Sequence, residues 1–173
     1  MRDGWKNDKV LNMGKLRQMT ALYLTDGDRI LLLYRIGSKI ADHSYIGCAG
    51  GHFEAEDGSN ACSCILRELR EEMGMEPEMI KNLTLRYITM RLKNGEIRQN
   101  YYFFAQAKQL PDPLVSTEGI LEWHTLDEIS ELPMPVSAKH VLLHYRCQGR
   151  QDTLLRGGMT GEHGTDFTVL NEF

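Results

Sequence analysis

Gly50-Gly51-His52-Phe53-Glu54, followed by Arg67-Glu68-Leu69-Arg70-Glu71-Glu72-Met73-Gly74-Met75, is the run from which the rest of the chain is read. Ser59 and Asn60 carry side chains that accept from the free N–H groups of a helix start, and Gly74 stands where a left-handed residue ends one. Between them Ala61, Ile65, Leu66, Leu69 and Met73 recur at helical spacing, which predicts a helix from Ser59 to Met73. At about 100° per residue, Glu68, Glu71 and Glu72 share an arc of roughly 100° bordering the apolar stripe, with Glu72 beside Ile65. Arg67 and Arg70 are read as lying on the far side. Carboxylates gathered at the edge of a core repel one another unless a cation offsets the repulsion. Hard divalent ions such as Mg²⁺ and Mn²⁺ prefer oxygen ligands of this kind. The alternative on wheel geometry alone is a helix that is simply rich in glutamate. The glycine pair favours the cation, because it permits a sharp bend, a close approach and a free carbonyl.

Gly51…Arg67-Glu68-Leu69-Arg70-Glu71-Glu72-Met73-Gly74-Met75 resembles the Nudix box, the loop–helix–loop signature of nucleoside-diphosphate-X hydrolases. The Arg-Glu-apolar-x-Glu-Glu-x-Gly-apolar half matches in full. The first half departs: its acid falls at Asp57, an aspartate, and two more residues than usual separate it from Arg67. The extra residues are expected to lengthen the loop before the helix, which leaves the roles of Glu56 and Asp57 open.

The resemblance implies an α/β fold, the Nudix α/β/α sandwich with a mixed sheet between helices, as a single domain over 1–173 with its box at about 51–75. The likeness runs roughly from Met19 to Cys147. It implies Mg²⁺, with Mn²⁺ as the alternative, held by Glu68, Glu71, Glu72 and the Gly50 carbonyl. Arg67, four residues before Glu71, is placed to hold that carboxylate's rotamer. Glu118, in Glu118-Gly119, stands where MutT-type members carry a distant glutamate that completes the site or acts as general base. His52 and Arg35 occupy positions that touch substrate in such enzymes, and Glu54 either joins the metal shell or sits in the loop. The implied catalytic set is Glu71, Glu72, Glu118 and Arg67.

The expected reaction is cleavage of a nucleoside triphosphate, with 8-oxo-dGTP as the example, to a monophosphate and pyrophosphate. The alternatives are another nucleoside diphosphate-X such as ADP-ribose, and a non-catalytic nucleotide-sensing module. Tyr23, Tyr102 and Phe104 are candidates either for stacking on a base or for the core.

At 173 residues with a net charge of −4, the chain suits one ordinary core, and its slight acidity argues against general nucleic-acid binding. No apolar run approaches a membrane span, and Arg2, Asp3, Lys6, Asp8 and Lys9 leave no signal-peptide core, so a cytoplasmic protein is expected. The partner expected is a small nucleotide, with no nucleic acid or membrane; a homodimer is compatible with the sequence. Cys48, His52, Cys62 and Cys64 form a nominal zinc set, but Cys62 and Cys64 diverge on a helix, so reduced, partly buried thiols are expected.

Met1 to Arg17 reads as a short strand or arm. Gln18 to Leu24 and Arg29 to Ile36 read as a hairpin around Asp26-Gly27-Asp28, Gly37 to Ser44 as a loop, and Tyr45 to Ala49 as a buried strand delivering the glycines. Glu76-Pro77 breaks the pattern. Leu83 to Leu92 and Ile97 to Ala107 form a second hairpin around Asn94-Gly95, with bulky Tyr101 to Phe104 central in the sheet. A strand at Leu121 to Thr125, a short helix at Leu126 to Leu132 and a last helix from Ser137 to Cys147 follow. Val141, Leu142 and Tyr145 are its expected buried face. His140 and His144 are placed on its outer face, with metal binding the lesser alternative. The tail is read as a closing hairpin with a polar loop at Gly157-Gly158.

Overall fold

In the computed structural model, residues 15–37 and 42–170 are described. The reading of Met1 to Arg17 as an arm falls mostly outside them, as does part of the Gly37 to Ser44 loop. The order is β1 (Leu16–Asp26), β2 (Arg29–Arg35), β3 (Ser44–Gly47), α1 (Ala61–Met73), β4 (Ile80–Lys93), β5 (Glu96–Ala107), β6 (Gly119–Thr125), α2 (Val136–Cys147), β7 (Arg156–Thr160) and β8 (Thr165–Val169).

All eight strands join one mixed sheet in the order β3-β2-β1-β5-β4-β7-β8, with β6 on the other edge of β2. The β1–β5 and β4–β7 pairs are parallel and the others antiparallel. Asn94 (φ 53°) and Gly95 (φ 76°) make the tight β4–β5 turn that their sequence demands.

Alternation along the strands sorts the core into two halves. Leu22, Leu24, Leu31, Phe103 and Ala105 face α1 and pack on Ile65, Leu69 and Met73. Tyr23, Ile30, Leu32, Tyr102 and Phe104 face α2 and pack on Val141 and Leu142. Burying a large apolar side chain stabilises by roughly 1.5–3 kcal/mol, so each helix is fixed by its stripe rather than by intrinsic propensity. The α/β/α sandwich is the observed architecture, and β5 is central, flanked by β1 and β4.

Four local expectations need correction. Leu126 to Leu132 is not a helix: only the 3₁₀ turn Glu128–Ser130 forms, because just Leu126 and Ile129 are buried there and Glu128 turns back to accept from the Thr125 N–H at 2.7 Å. Gly157 and Gly158 are not the tail's loop but lie within β7, where a Cβ at Gly158 would come 2.8 Å from the Phe167 ring. The hairpin turns at 161–164 instead. His140 and His144 do not sit on an outer face, since β7 and β8 cover that side of α2. His140 Nδ1 lies 2.9 Å from Thr165 Oγ1, and His144 Nδ1 is 3.0 Å from the Tyr87 hydroxyl, its ring tilted against that of Phe167. Arg67, finally, is not on the far side of α1 from the glutamates, as its contacts below show.

Candidate active site

α1 starts at Ala61, two residues after the expected Ser59, with Asn60 as its N-cap. Asn60 Oδ1 accepts from the Cys62 and Ser63 N–H groups, and Gly74 closes the helix at φ 62°. The longer loop before it is absorbed by Gly58 and Ser59, both left-handed, after a 3₁₀ turn at Ala55–Asp57. That turn buries Asp57, whose carboxylate accepts from the Glu54 N–H at 2.7 Å.

Asp57 has a second task that the sequence did not show: it anchors Arg67. The Arg67 guanidinium donates to both Asp57 oxygens at 3.0 and 3.1 Å, to Glu68 at 2.9 Å, to Glu71 at 3.0 Å and to the His52 carbonyl at 3.0 Å. Glu54 and Glu56 lie about the same cation at 4.0 and 3.8 Å. Arg67 is about 40° from Glu71 on the wheel, so the sequence shows the pairing as an i,i+4 contact, and Arg67 lies on the glutamate side of α1 rather than the far side. The Arg67 hydrogen bond holds Asp57 below the usual carboxylate range, and Asp57 in turn keeps Arg67 firmly protonated.

The glycine bend meets α1 at its other end. β1 diverges from β2, and the chain after β3 runs along its freed edge: the Leu22 N–H donates to the Ala49 carbonyl and the Thr20 N–H to the Gly51 carbonyl, both at 2.8 Å. Gly50 adopts φ 150°, and a Cβ there would lie 2.8 Å from Ala21 Cα, so only glycine fits. Its N–H donates to Glu72 Oε2 at 2.9 Å, which draws Glu72 into the bend. At Gly51 a Cβ would sit 2.6 Å from Glu68 Cδ. Gly51→Ala is therefore expected to push the Glu68 carboxylate aside, cutting turnover at least about tenfold while the melting temperature changes by only a few degrees. Steady-state kinetics and a thermal melt of the same preparation check it.

Burial, then repulsion from Glu68 and Glu118, raises the Glu72 carboxyl to about 7 despite the Gly50 N–H and the Arg35 charge. Burial also raises Glu68, against the opposing pull of Arg67. Glu71 is exposed, and Glu118 pairs with Arg35 at 2.6 Å. The Thr117 N–H donates to the Glu72 carbonyl at 3.1 Å, tying the Glu118 loop to the end of α1. Glu68, Glu71, Glu72, Glu118, Arg67, Arg35 and Gly50 are thus brought together. Among the described residues, no three acidic, histidine or cysteine groups converge as a ready-made cage, because Arg67 and the Gly50 N–H hold the carboxylates. The donor chemistry nevertheless fits a hard divalent cation: part-desolvated carboxylates crowd together, and burial and their mutual repulsion raise the pKa values of Glu68 and Glu72.

His52 stands apart from this group on the rim, with Arg17 Nε donating to its Nε2 at 2.5 Å. Burial, Arg17 and Arg35 lower its pKa, so the ring is neutral near pH 7. Cys62 is exposed and Cys64 buried on α1, all four cysteines are free thiols, and no zinc set forms among the described residues. Beside Gly50 a cleft of about 150 Å³ opens between β1, β5 and the start of α2, lined by Met19, Ala21, Tyr23, Arg35, Asn100 and Tyr102 among others. Phe104 is core, stacked on Tyr145 at 4.1 Å, whereas Tyr23 and Tyr102 form the cleft wall with their rings buried.

A family model described as the NUDIX domain matches residues 15–145. The chain belongs to the Nudix family. An uncharacterized Nudix hydrolase of Bacillus subtilis (strain 168), YvcI, is 30% identical over 169 residues, spanning 93% of this chain and 92% of that one. The crystal structure of a MutT protein from Bacillus halodurans superposes with a TM-score of 0.59 at 26% identity, covering 90% of this chain and 95% of its own. The NUDIX domain of Shewanella oneidensis NrtR, complexed with ADP ribose, shares the fold at a TM-score of 0.54 and 14% identity, covering 81% and 91% of the two chains. Nudix hydrolases act on phosphoanhydride bonds of small nucleotides and generally use divalent metal ions, and this Nudix chain retains the acid half of the box intact. No helix among the described residues is long and apolar enough to cross a membrane.

Proposed function

We propose that this Nudix hydrolase cleaves a nucleoside triphosphate to a monophosphate and pyrophosphate, with 8-oxo-dGTP as a candidate substrate and Mg²⁺ or Mn²⁺ as the cofactor. The observation that carries the reading is the half-buried, crowded Glu72 carboxylate, held on the Gly50 bend near Glu68 and Glu118, beside the cleft that Gly50 lines. The 26% identity to a MutT protein supports a MutT-type reading of the site.

Glu68, Glu71, Glu72 and the Gly50 carbonyl are the proposed metal ligands; the ion would neutralise charge on the bridged phosphates and acidify a bound water. The protein's own contribution is positional. Arg67 fixes the rotamers of Glu68 and Glu71, and Asp57 fixes Arg67. Glu118, whose carboxylate is oriented by Arg35, is the proposed general base, and Arg35 faces the cleft where a phosphate enters. His52, neutral and at the rim, is proposed to meet substrate as a hydrogen-bonding group rather than as a cation.

The test is product release across 8-oxo-dGTP, the common nucleoside triphosphates, ADP-ribose and a dinucleoside polyphosphate, each with Mg²⁺ or Mn²⁺. Pyrophosphate release from triphosphates is the expected result. Hydrolysis of ADP-ribose alone would remove the triphosphatase reading, and binding without turnover of any member would point to a sensing module.

A further inference from the structure

The far end of the cleft carries polar groups that the box chemistry leaves unused. Gly50 lies on Ala21, whose partner on β5 is Tyr102. Two residues along the same face stands Asn100, and four residues along, Arg17, Arg98 and Arg91 face one another across β1, β5 and β4. At about 3.3 Å per residue, that row lies roughly 13 Å from the bend at backbone level, with Asn100 midway.

Like charges directly opposite on neighbouring strands destabilise a sheet unless something accepts from them. Glu96 serves two of the three: Arg98 Nε donates to it at 2.8 Å, and Arg17 lies 3.9 Å from it. Arg91 is half-buried on the cleft wall and has no ion pair or side-chain hydrogen bond among the described residues. A second, independent observation points to a ligand in the same cleft. Tyr23, two residues from Ala21 in the opposite direction, also lines it, and its wholly buried hydroxyl has no hydrogen-bond partner among the described residues. Leaving such a group unpaired is costly, and a base edge seated in the cleft would satisfy it.

Resting on the nucleotide reading above, we infer that Arg91, with Asn100 and the Tyr23 hydroxyl, reads the nucleobase and selects a 6-ketopurine over a 6-aminopurine. A guanidinium offers donors and no acceptor, so it matches the carbonyl edge of guanine or hypoxanthine, whereas adenine sets an amino donor against it. An arginine of this kind discriminates roughly 5- to 150-fold between right and wrong base.

The experiment compares kcat/KM for dGTP, dITP and dATP in the intact chain, Arg91→Ala and Tyr23→Phe, alongside equilibrium binding of GMP and AMP, which needs no turnover. The intact chain is expected to favour dGTP and dITP at least fivefold, and GMP over AMP likewise. Arg91→Ala is expected to bring both ratios to within about twofold of one, and Tyr23→Phe to lower them with little change in melting temperature. Two results would overturn the inference while leaving the triphosphatase standing: turnover with no base preference, or an Arg91→Ala loss equal for all three nucleotides, which marks a phosphate contact. If no triphosphate is cleaved, the reaction assignment falls, and the GMP-to-AMP ratio alone decides the base assignment.

Discussion

Glu72→Gln is expected to lower turnover by roughly three orders of magnitude without lowering stability. Glutamine keeps an oxygen for the Gly50 N–H but removes the charge that a hard cation needs, and a metal's charge stabilisation in the transition state is on the order of several kcal/mol. The folded protein loses nothing comparable, because the charge it gives up is desolvated and repelled by Glu68 and Glu118. The sign of the pH dependence follows from the same shift. In metal-free protein the Glu72 carboxyl, at about 7, sits above its unfolded value near 4.3, so the folded state binds the extra proton. Stability should therefore rise as pH falls from about 8 towards 5 and gain nothing further from this group below the unfolded value. Asp57, held low, acts oppositely and only once the pH is acid enough to protonate it. Urea midpoints in EDTA across this range check the slope, which Glu72→Gln should flatten. A mutant with ordinary turnover would refute the metal assignment.

Arg67→Ala should cost about 3 kcal/mol of stability as well as most of the activity. The Arg67 side chain is 12% exposed and that of Asp57 only 2%. Removing the cation strands a buried carboxylate, and breaking a buried pair in this way costs roughly 3–5 kcal/mol. Glu68 and Glu71 lose their shared donor at the same time, so their rotamers are no longer fixed. Arg67→Ala/Asp57→Ala should recover part of the stability but not the turnover. Arg67→Lys keeps the charge without the fork and should fall between them. Urea unfolding and kinetics on the four proteins separate the two effects; an Arg67→Ala midpoint equal to that of the intact chain would show that the network is ornamental to the fold.

Much of the candidate site could be read along the chain because its parts are local. The α1 caps, the glutamate arc and the Arg67–Glu71 spacing all lie within one helix, where 3.6-residue periodicity fixes neighbours. The opposition of Arg91 and Arg98 was equally available, since the Asn94-Gly95 turn sets the β4–β5 register, but nothing local showed that this pair ends a cleft. The role of Asp57 stays open in the sequence for a related reason: the longer loop changes its spacing, and only the left-handed Gly58 and Ser59 return it to Arg67. A helix wheel sets the histidines of α2 outward because it carries no sign of the later hairpin that covers them.

The sequence by itself determined the α1 ridge, the glycine bend, the two tight turns and the alternation that splits the core, all of which follow from short-range sterics and periodicity. Only the tertiary structure decided that β1 pairs in parallel with β5, that the Glu118 loop reaches the end of α1, and that Tyr23, Asn100 and Arg91 share a wall with Gly50. Those relations join residues far apart in the chain, and what selects them is the burial of both sheet faces at once, a property of the assembled layers that no single segment carries.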